Sequence, residues 1–402
     1  MNRTAQRVDE PHRTATPSLF DQASSVFDGW TDPETGIRVL RVFANNLPRV
    51  PGLWSTIYHQ RHCFLDGGRK VLLQARWPEA ERGKRRGYLL DLATGEAESP
   101  FPSGYRVLDV AEAGTALLAN REGDAVLWDM QADTALASVG TDGWMREGPY
   151  FLGDGRQAVV SHTRGERYDH FCESHFHLLA NGEPPHIVLE AEGAWCNHVT
   201  AHPFDPELYA YDRWPCPRYD IDQVTRVRSI DGTFDEPAKL DDRAMRPGNF
   251  YGVRDHFVWT PDGTRIVSYL NRTAVDCSGE FNHFEFDWVL SALDWRTGED
   301  YAAPYPPGRW GGHMQMTPDS KYILCGGGPG FDKLFAVDLQ GLKHGWNEHV
   351  ICSYPQTISA GTNRDPFPYP FALPDGSGVI FTAGWPGDEF GVYLAEWPAA
   401  LS

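Results

Sequence analysis

The stretch FVWTPDGTRIVSYL, residues 257–270, decides how the whole chain is read. It is an apolar strand, a polar turn built on Pro-Asp-Gly, and a second apolar strand, which together predict a tight hairpin. The phrase recurs in both directions. Towards the C-terminus it returns as MQMTPDSKYILCGG (314–327) and FALPDGSGVIFTAG (371–384). Towards the N-terminus it stands as AHPFDPELYAYD (201–212), YFLGDGRQAVVSH (150–162), DVAEAGTALLAN (109–120) and CFLDGGRKVLLQAR (63–76). These are seven copies, with turns near residues 66, 113, 154, 205, 262, 319 and 375, separated by 41 to 57 residues.

Most copies are followed by a second strand–turn–strand, such as YLLDLATGEAES (88–99) or FHLLANGEPPHIVL (176–189). Four antiparallel strands per repeat is the pattern of a propeller blade, and seven repeats predict an all-β, seven-bladed β-propeller. A helical solenoid would need apolar residues at a 3.6-residue period in each repeat, and these are almost wholly lacking. The fragment DPETGIRVLRVF (32–43) reads as the second half of a blade, whereas the last repeat, ending GVYLAEWP, is one strand short. The N-terminal strand is therefore expected to complete the last blade and close the ring, which removes exposed sheet edges. Residues 1–25 are read as a mobile tail and 26–402 as one propeller domain.

Composition narrows the partners. Of 402 residues 41% are hydrophobic and 23% charged, which excludes wholesale disorder. The net charge of −19, from 36 Lys+Arg against 55 Asp+Glu, disfavours nucleic acid and anionic membrane surfaces. Seven cysteines without a Cys-x-x-Cys pair argue against a disulfide framework and a cysteine zinc site. The N-terminal residues MNRTAQRVDEPHRTATPSLF carry no apolar core of a secretory signal, and no apolar run approaches 18 residues. The expectation is a soluble cytoplasmic protein.

In a propeller the first strand of each blade lines the central channel, and the residues before it converge at the channel mouth. Such a convergent pocket is the default ligand site. Ahead of the seven turns stand Tyr58, His59, Gln60 and His62 in blade one; Asn197, His198 and His202 in blade four; Arg254 and His256 in blade five; His313 in blade six; and Arg364 and Tyr369 in blade seven. Five blades thus bring His, Tyr or Arg to one rim. The blade-four segment 209–232 adds Arg213, Arg218, Arg226 and Arg228 beside Tyr209, Tyr211 and Tyr219, with Trp214 suited to stack on a sugar ring. Guanidinium groups bind carboxylates bidentately, so these residues fit an acidic sugar better than a neutral one. The same arginines could instead pair with Asp212, Asp220 and Asp222 as edge charges. No GxSxG elbow, P-loop, Rossmann glycine pattern or HExxH occurs.

With these segments in view, the chain resembles the oligogalacturonate lyases, a family of seven-bladed propellers. The resemblance runs from about residue 27 to 398 and rests on YHQRHCFLDGGRKVLL, WCNHVTAHPFDPELYAYD, RDHFVWTPDGTRIVSYL, GGHMQMTPDSKYIL and FALPDGSGVIFT with GVYLAEWP. It implies that His256 acts as a base and that His313 lies where the family binds a Mn²⁺-type ion. It also implies that His198 matches the blade-four histidine and that an arginine near Arg226 assists the base. The family completes its metal site with a Gln-x-x-His-x-His run before the last blade. Here that segment, TNRDPFPYPFALPDG, places Arg364, Phe367 and Tyr369 at those positions. Three of four ligands are missing, so no cofactor is expected; a Mn²⁺ or Ca²⁺ ion would have to rely on His313.

The combined expectation is a lyase that cleaves a 1,4-glycosidic bond to a uronic acid by β-elimination, leaving a 4,5-unsaturated uronate. His256 is the expected base, and Arg226 and Arg364 are candidates to neutralise the carboxylate. Tyr369 or His198 could protonate the leaving group. His313, His59 and Trp214 are expected to bind substrate. The alternatives are a non-catalytic sugar-binding or protein-interaction propeller, and a propeller glycoside hydrolase.

Overall fold

The computed structural model describes residues 16–47, 54–58, 60–76, 85–120, 123–141, 143–165, 172–215, 224–238, 254–271, 288–307, 309, 313–326, 332–354, 368–385 and 388–401. Seven antiparallel sheets follow one another along the chain and form a seven-bladed β-propeller. Blades two to six have four strands each, in simple meander order. They span 106–139, 145–192, 194–237, 254–304 and 314–353. Blade one spans 54–98, and blade seven joins 371–396 to the N-terminal strands.

The repeated turns explain why each phrase folds alike. In blade five the Thr260 hydroxyl donates to the Asp262 carboxylate at 2.5 Å, and Arg265 N–H donates back to Thr260 Oγ1 at 3.0 Å. Blade six repeats this atom for atom with Thr317, Asp319 and Tyr322, at 2.6 and 3.0 Å. The second hairpin of a blade uses another device. Asp294 Oδ1 accepts from Arg296 and Thr297 N–H, and Gly298 follows at φ 82°, a left-handed conformation that glycine adopts without steric cost.

That second device stands at the N-terminus too, where Asp32 Oδ1 accepts from Glu34 and Thr35 N–H and Gly36 has φ 75°. The fragment 32–43 is therefore a displaced second half of a blade. Strand Arg38–Val42 pairs with Asp388–Glu396, setting Leu40 opposite Leu394 and Val39 opposite Ala395, and closes the ring. Gly29–Thr31 adds a fifth strand outside it. Leu40 and Leu394 are both buried in the core shared with blade one.

The expected 25-residue tail is too long. Leu19–Ser24 form a helix whose Leu19, Phe20 and Ala23 are buried. Leu19 N–H donates to Asp375 Oδ2 and Phe20 N–H to Ser377 Oγ, so the last-blade turn caps the helix start. Three apolar side chains in one short turn have too little periodicity to be read from sequence, yet they suffice to dock it. Among the described residues no helix is long and apolar enough to cross a membrane.

Blade one departs from the meander in a way that matters for the site. Its inner edge is split into Trp54–Ser55 and Phe64–Leu65, both paired to Lys70–Arg76. The intervening residues leave the sheet and are tied to four other blades. Thr56 N–H donates to Thr382 Oγ1 at 2.8 Å in blade seven, and Gln60 Nε2 donates to the Phe257 carbonyl at 2.8 Å in blade five. The buried Arg61 donates to the Pro149 carbonyl in blade three and lies 4.2 Å over the Tyr150 ring. His62 N–H donates to Asp109 Oδ1 at 2.7 Å in blade two.

Candidate functional site

Two inner strands carry the same irregularity. In blade four the register slips between Asn197 and Thr200, and in blade five between Asp255 and Val258. His198 and His256 sit in these bulges with φ 49° and 53°. Left-handed backbone at a non-glycine residue is strained, and bulges re-aim the side chain they carry. The matching bulge of blade three is built on Gly148, at φ 90°, and carries no side chain into the channel.

The two aimed imidazoles meet, their ring centroids 5.0 Å apart. His313 of blade six lies 4.7 Å from His256, and Tyr369 of blade seven lies 4.8 Å from His313. Tyr58, carried across by the blade-one excursion, stands in the middle. Its ring is 6.4 Å from His198, 6.0 Å from His256, 5.6 Å from His313 and 5.6 Å from Tyr369. Four blades in sequence order therefore supply one arc of aromatic rings around a central phenol, all half-buried.

The two imidazoles on the bulges have distinct partners. His198 Nδ1 lies 3.2 Å from Asp212 Oδ2, whose side chain is wholly buried. The second oxygen of Asp212 accepts from the Thr225 hydroxyl at 2.9 Å. His256 Nδ1 lies 2.5 Å from the Tyr269 hydroxyl on the neighbouring strand. One histidine thus rests on a carboxylate and the other on a phenol.

Of the residues singled out by sequence, His198, His256, His313 and Tyr369 come together. Arg226 does not join them. Its guanidinium donates to Asp235 Oδ1 and to the Asp235 carbonyl, both at 2.7 Å, on the outermost strand of blade four. Arg228 shares the same carboxylate at 2.6 Å and the Tyr211 hydroxyl approaches it as well. Residues two apart on a strand share a face, so both arginines are drawn outward to one acid. His59 and Arg364 lie outside the described residues, as does the Trp214 side chain; the Trp214 backbone pairs with Trp195 in blade four. His62 is exposed and turned towards Asp109. Asp212, read from sequence as a partner for arginines, serves His198 instead.

Sequence reasoning gave no role in the site's chemistry to Tyr58, Asp212 or Tyr269. The phase of the repeat did mark Tyr58, but not its reach across the channel. Another imidazole group lies on blade three: His162 and His177 are 4.5 Å apart, and His175 Nε2 is 2.7 Å from Glu173. Among the described residues no three or more His, Cys, Asp or Glu side chains converge as a metal site. The ring contacts of His313 are with His256 and two phenols, and phenols are weak donors for Mn²⁺. Burial pushes the Cys196 thiol, two residues before His198, up to about 12.

The architecture has close counterparts among solved structures. An oligogalacturonate lyase in complex with manganese superposes with a TM-score of 0.72 at 19% identity, covering 94% of this chain and 97% of that one. An oligogalacturonate lyase from Vibrio parahaemolyticus gives 0.72 at 17% identity, covering 94% and 98%. A chain of the mitotic checkpoint complex gives 0.51 at 13% identity. Identities this low show a shared propeller fold and nothing finer. No protein-family model matches the chain, and no curated protein matches it by sequence.

Proposed function

We propose that the protein is a lyase that cleaves a 1,4 bond to a uronic acid in an acidic oligosaccharide by β-elimination. The observation that carries this reading is the arc of His198, His256, His313 and Tyr369 around Tyr58, with two of its histidines held on strained bulges. Backbone strain retained at two equivalent positions is expected where side-chain aim serves a ligand. The likeness in fold to oligogalacturonate lyases favours the same chemistry.

Elimination needs three things: a neutralised carboxylate to acidify C5–H, a base for that proton, and a proton for the departing oxygen. His256 is the base; its Nδ1 lies on the Tyr269 hydroxyl, and Nε2 is the nitrogen assigned to the C5 proton. Arg364 is the group assigned to the uronate carboxylate, in place of a cation. His198 or Tyr369 returns a proton to the leaving group, and His313 positions the sugar. With His256 and two phenols as the ring contacts of His313, no step is assigned to a metal.

Incubation of the purified chain with a panel of uronate oligosaccharides, recorded by ultraviolet absorbance, tests the proposal. Appearance of the conjugated 4,5-unsaturated product is the expected result. New reducing ends without that absorbance would indicate hydrolysis and overturn it. Binding without any product would leave a sugar-binding propeller.

A further inference from the structure

Asp212 is a wholly buried carboxylate beside the imidazole arc, and it faces His198. It sits on strand Leu208–Pro215, opposite Asn197 and beside the bulge that aims His198. Thr225 on the next strand holds its other oxygen, so the carboxylate cannot swing away without losing that bond. A carboxylate on Nδ1 fixes which nitrogen carries the proton, which leaves Nε2 on the far side of the ring. The neighbouring rings of His198 are Tyr58, stacked at 6.4 Å between centroids, and His256 at 5.0 Å. His256, by contrast, has a neutral phenol as its Nδ1 partner. The site therefore holds two imidazoles 5.0 Å apart whose Nδ1 atoms lie against different groups, a carboxylate for His198 and a phenol for His256.

From this asymmetry we infer that Asp212 is a positioning residue that makes His198, not Tyr369, the group protonating the leaving oxygen. The inference rests on the elimination reading above. His256 Nε2 takes the C5 proton as the C5–H electron pair becomes the C4=C5 double bond. The C4–O4 bond breaks with its pair going to O4, and O4 takes the proton from His198 Nε2. His256 ends protonated and His198 neutral, still bonded to Asp212. Passing one proton from His256 back to His198 restores the starting state, with no oxidant, reductant or ion consumed.

The test compares the wild-type chain, Asp212→Asn and His256→Asn on two compounds. One is a uronate oligosaccharide with its natural sugar at O4; the other is a uronate carrying a 4-O-dinitrophenyl group, whose departure needs no acid. Asp212→Asn should lower kcat on the natural sugar by about 10²–10⁴-fold, with KM changed by less than about twofold. On the aryl ether it should lie within about tenfold of wild type, whereas His256→Asn should fail on both. A purely structural role for Asp212 would depress both compounds equally, and that result overturns the inference. Without substrate, ¹⁵N-histidine NMR should show a bound Nδ1–H that vanishes in both Asp212→Asn and His198→Gln. Its absence from wild type would also overturn the inference. If wild type turns over neither compound, the lyase reading itself fails, and the acid role falls with it whatever the spectrum shows.

Discussion

Asp109 offers a perturbation whose size follows from its surroundings. The carboxylate is 2% exposed, on the inner strand of blade two, and it accepts from the backbone N–H groups of His62 and Val110. It therefore anchors the excursion that carries Tyr58. Burial is the largest influence on it and raises its pKa from 3.8 to about 6, against the opposing pull of His62 and Arg61. A carboxyl whose folded pKa lies above its unfolded one binds its proton more tightly when folded, so stability falls as pH rises between the two values. At 1.36 kcal/mol per pH unit, the difference amounts to about 3 kcal/mol. It is absent below about pH 4, develops up to about pH 6 and is constant above. Asn at this position keeps an acceptor for both N–H groups and has no charge to bury. Urea unfolding of wild type and Asp109→Asn from pH 4 to 7 should show wild type losing about 3 kcal/mol relative to the variant over that window. Other titrating groups cancel in the comparison. A difference that stays flat, or that moves in favour of wild type with rising pH, would refute the reasoning.

Further outcomes are expected at the site, the ring closure and the uronate-binding group. His256→Asn, which tolerates the left-handed backbone, should lower lyase turnover by about 10²–10⁴-fold while circular dichroism stays native; retention of more than about half the rate would reject His256 as the base. Arg226→Ala should cost stability, measured as a lowered urea midpoint, and leave turnover within about threefold, because its guanidinium serves Asp235. Leu40→Ala, in the buried closing strand, should destabilise by about 2–5 kcal/mol and expose the ring seam to proteolysis. Chelation with EDTA should leave product formation unchanged, and Arg364→Ala should weaken uronate binding; loss of activity that added Mn²⁺ restores would reverse that view.

The fold was legible because its information is local and repeated. A Thr-Pro-Asp turn whose hydroxyl and carboxylate tie down the next strand works the same way in blades five and six. The Asp-x-x-x-Gly turn of residues 32–36 identifies a half-blade even though its partner strand lies near the other end of the chain, as the Leu40–Leu394 pairing requires. What the repeat could not carry was anything that depends on a single copy. The docking of Leu19–Ser24 rests on three side chains and two capping bonds to the last-blade turn, and no other blade has an equivalent.

The site divides along the same line. His198, His256, His313 and Tyr369 were legible because they occupy one phase of the repeat, and phase fixes which residues reach the channel mouth. Arg226 was misplaced because phase along a strand gives a face, not a partner: the choice between channel and outer strand was made by Asp235, nine residues later. Asp212 was misread for the complementary reason. A run of arginines around it suggests ion pairing at an edge, yet in a strand Asp212 faces opposite to its neighbours Tyr211 and Arg213. It is thereby carried to His198 on the adjacent inner strand. Tyr58 was marked by phase, but its central place depends on an excursion that leaves its own sheet and is pinned to blades two, three, five and seven. Those tethers come from residues scattered between positions 109 and 382, and no local pattern contains them. Chemistry at such a channel mouth is thus specified at two levels: the repeat delivers imidazoles to a common rim, and the one blade that breaks the repeat decides what stands between them.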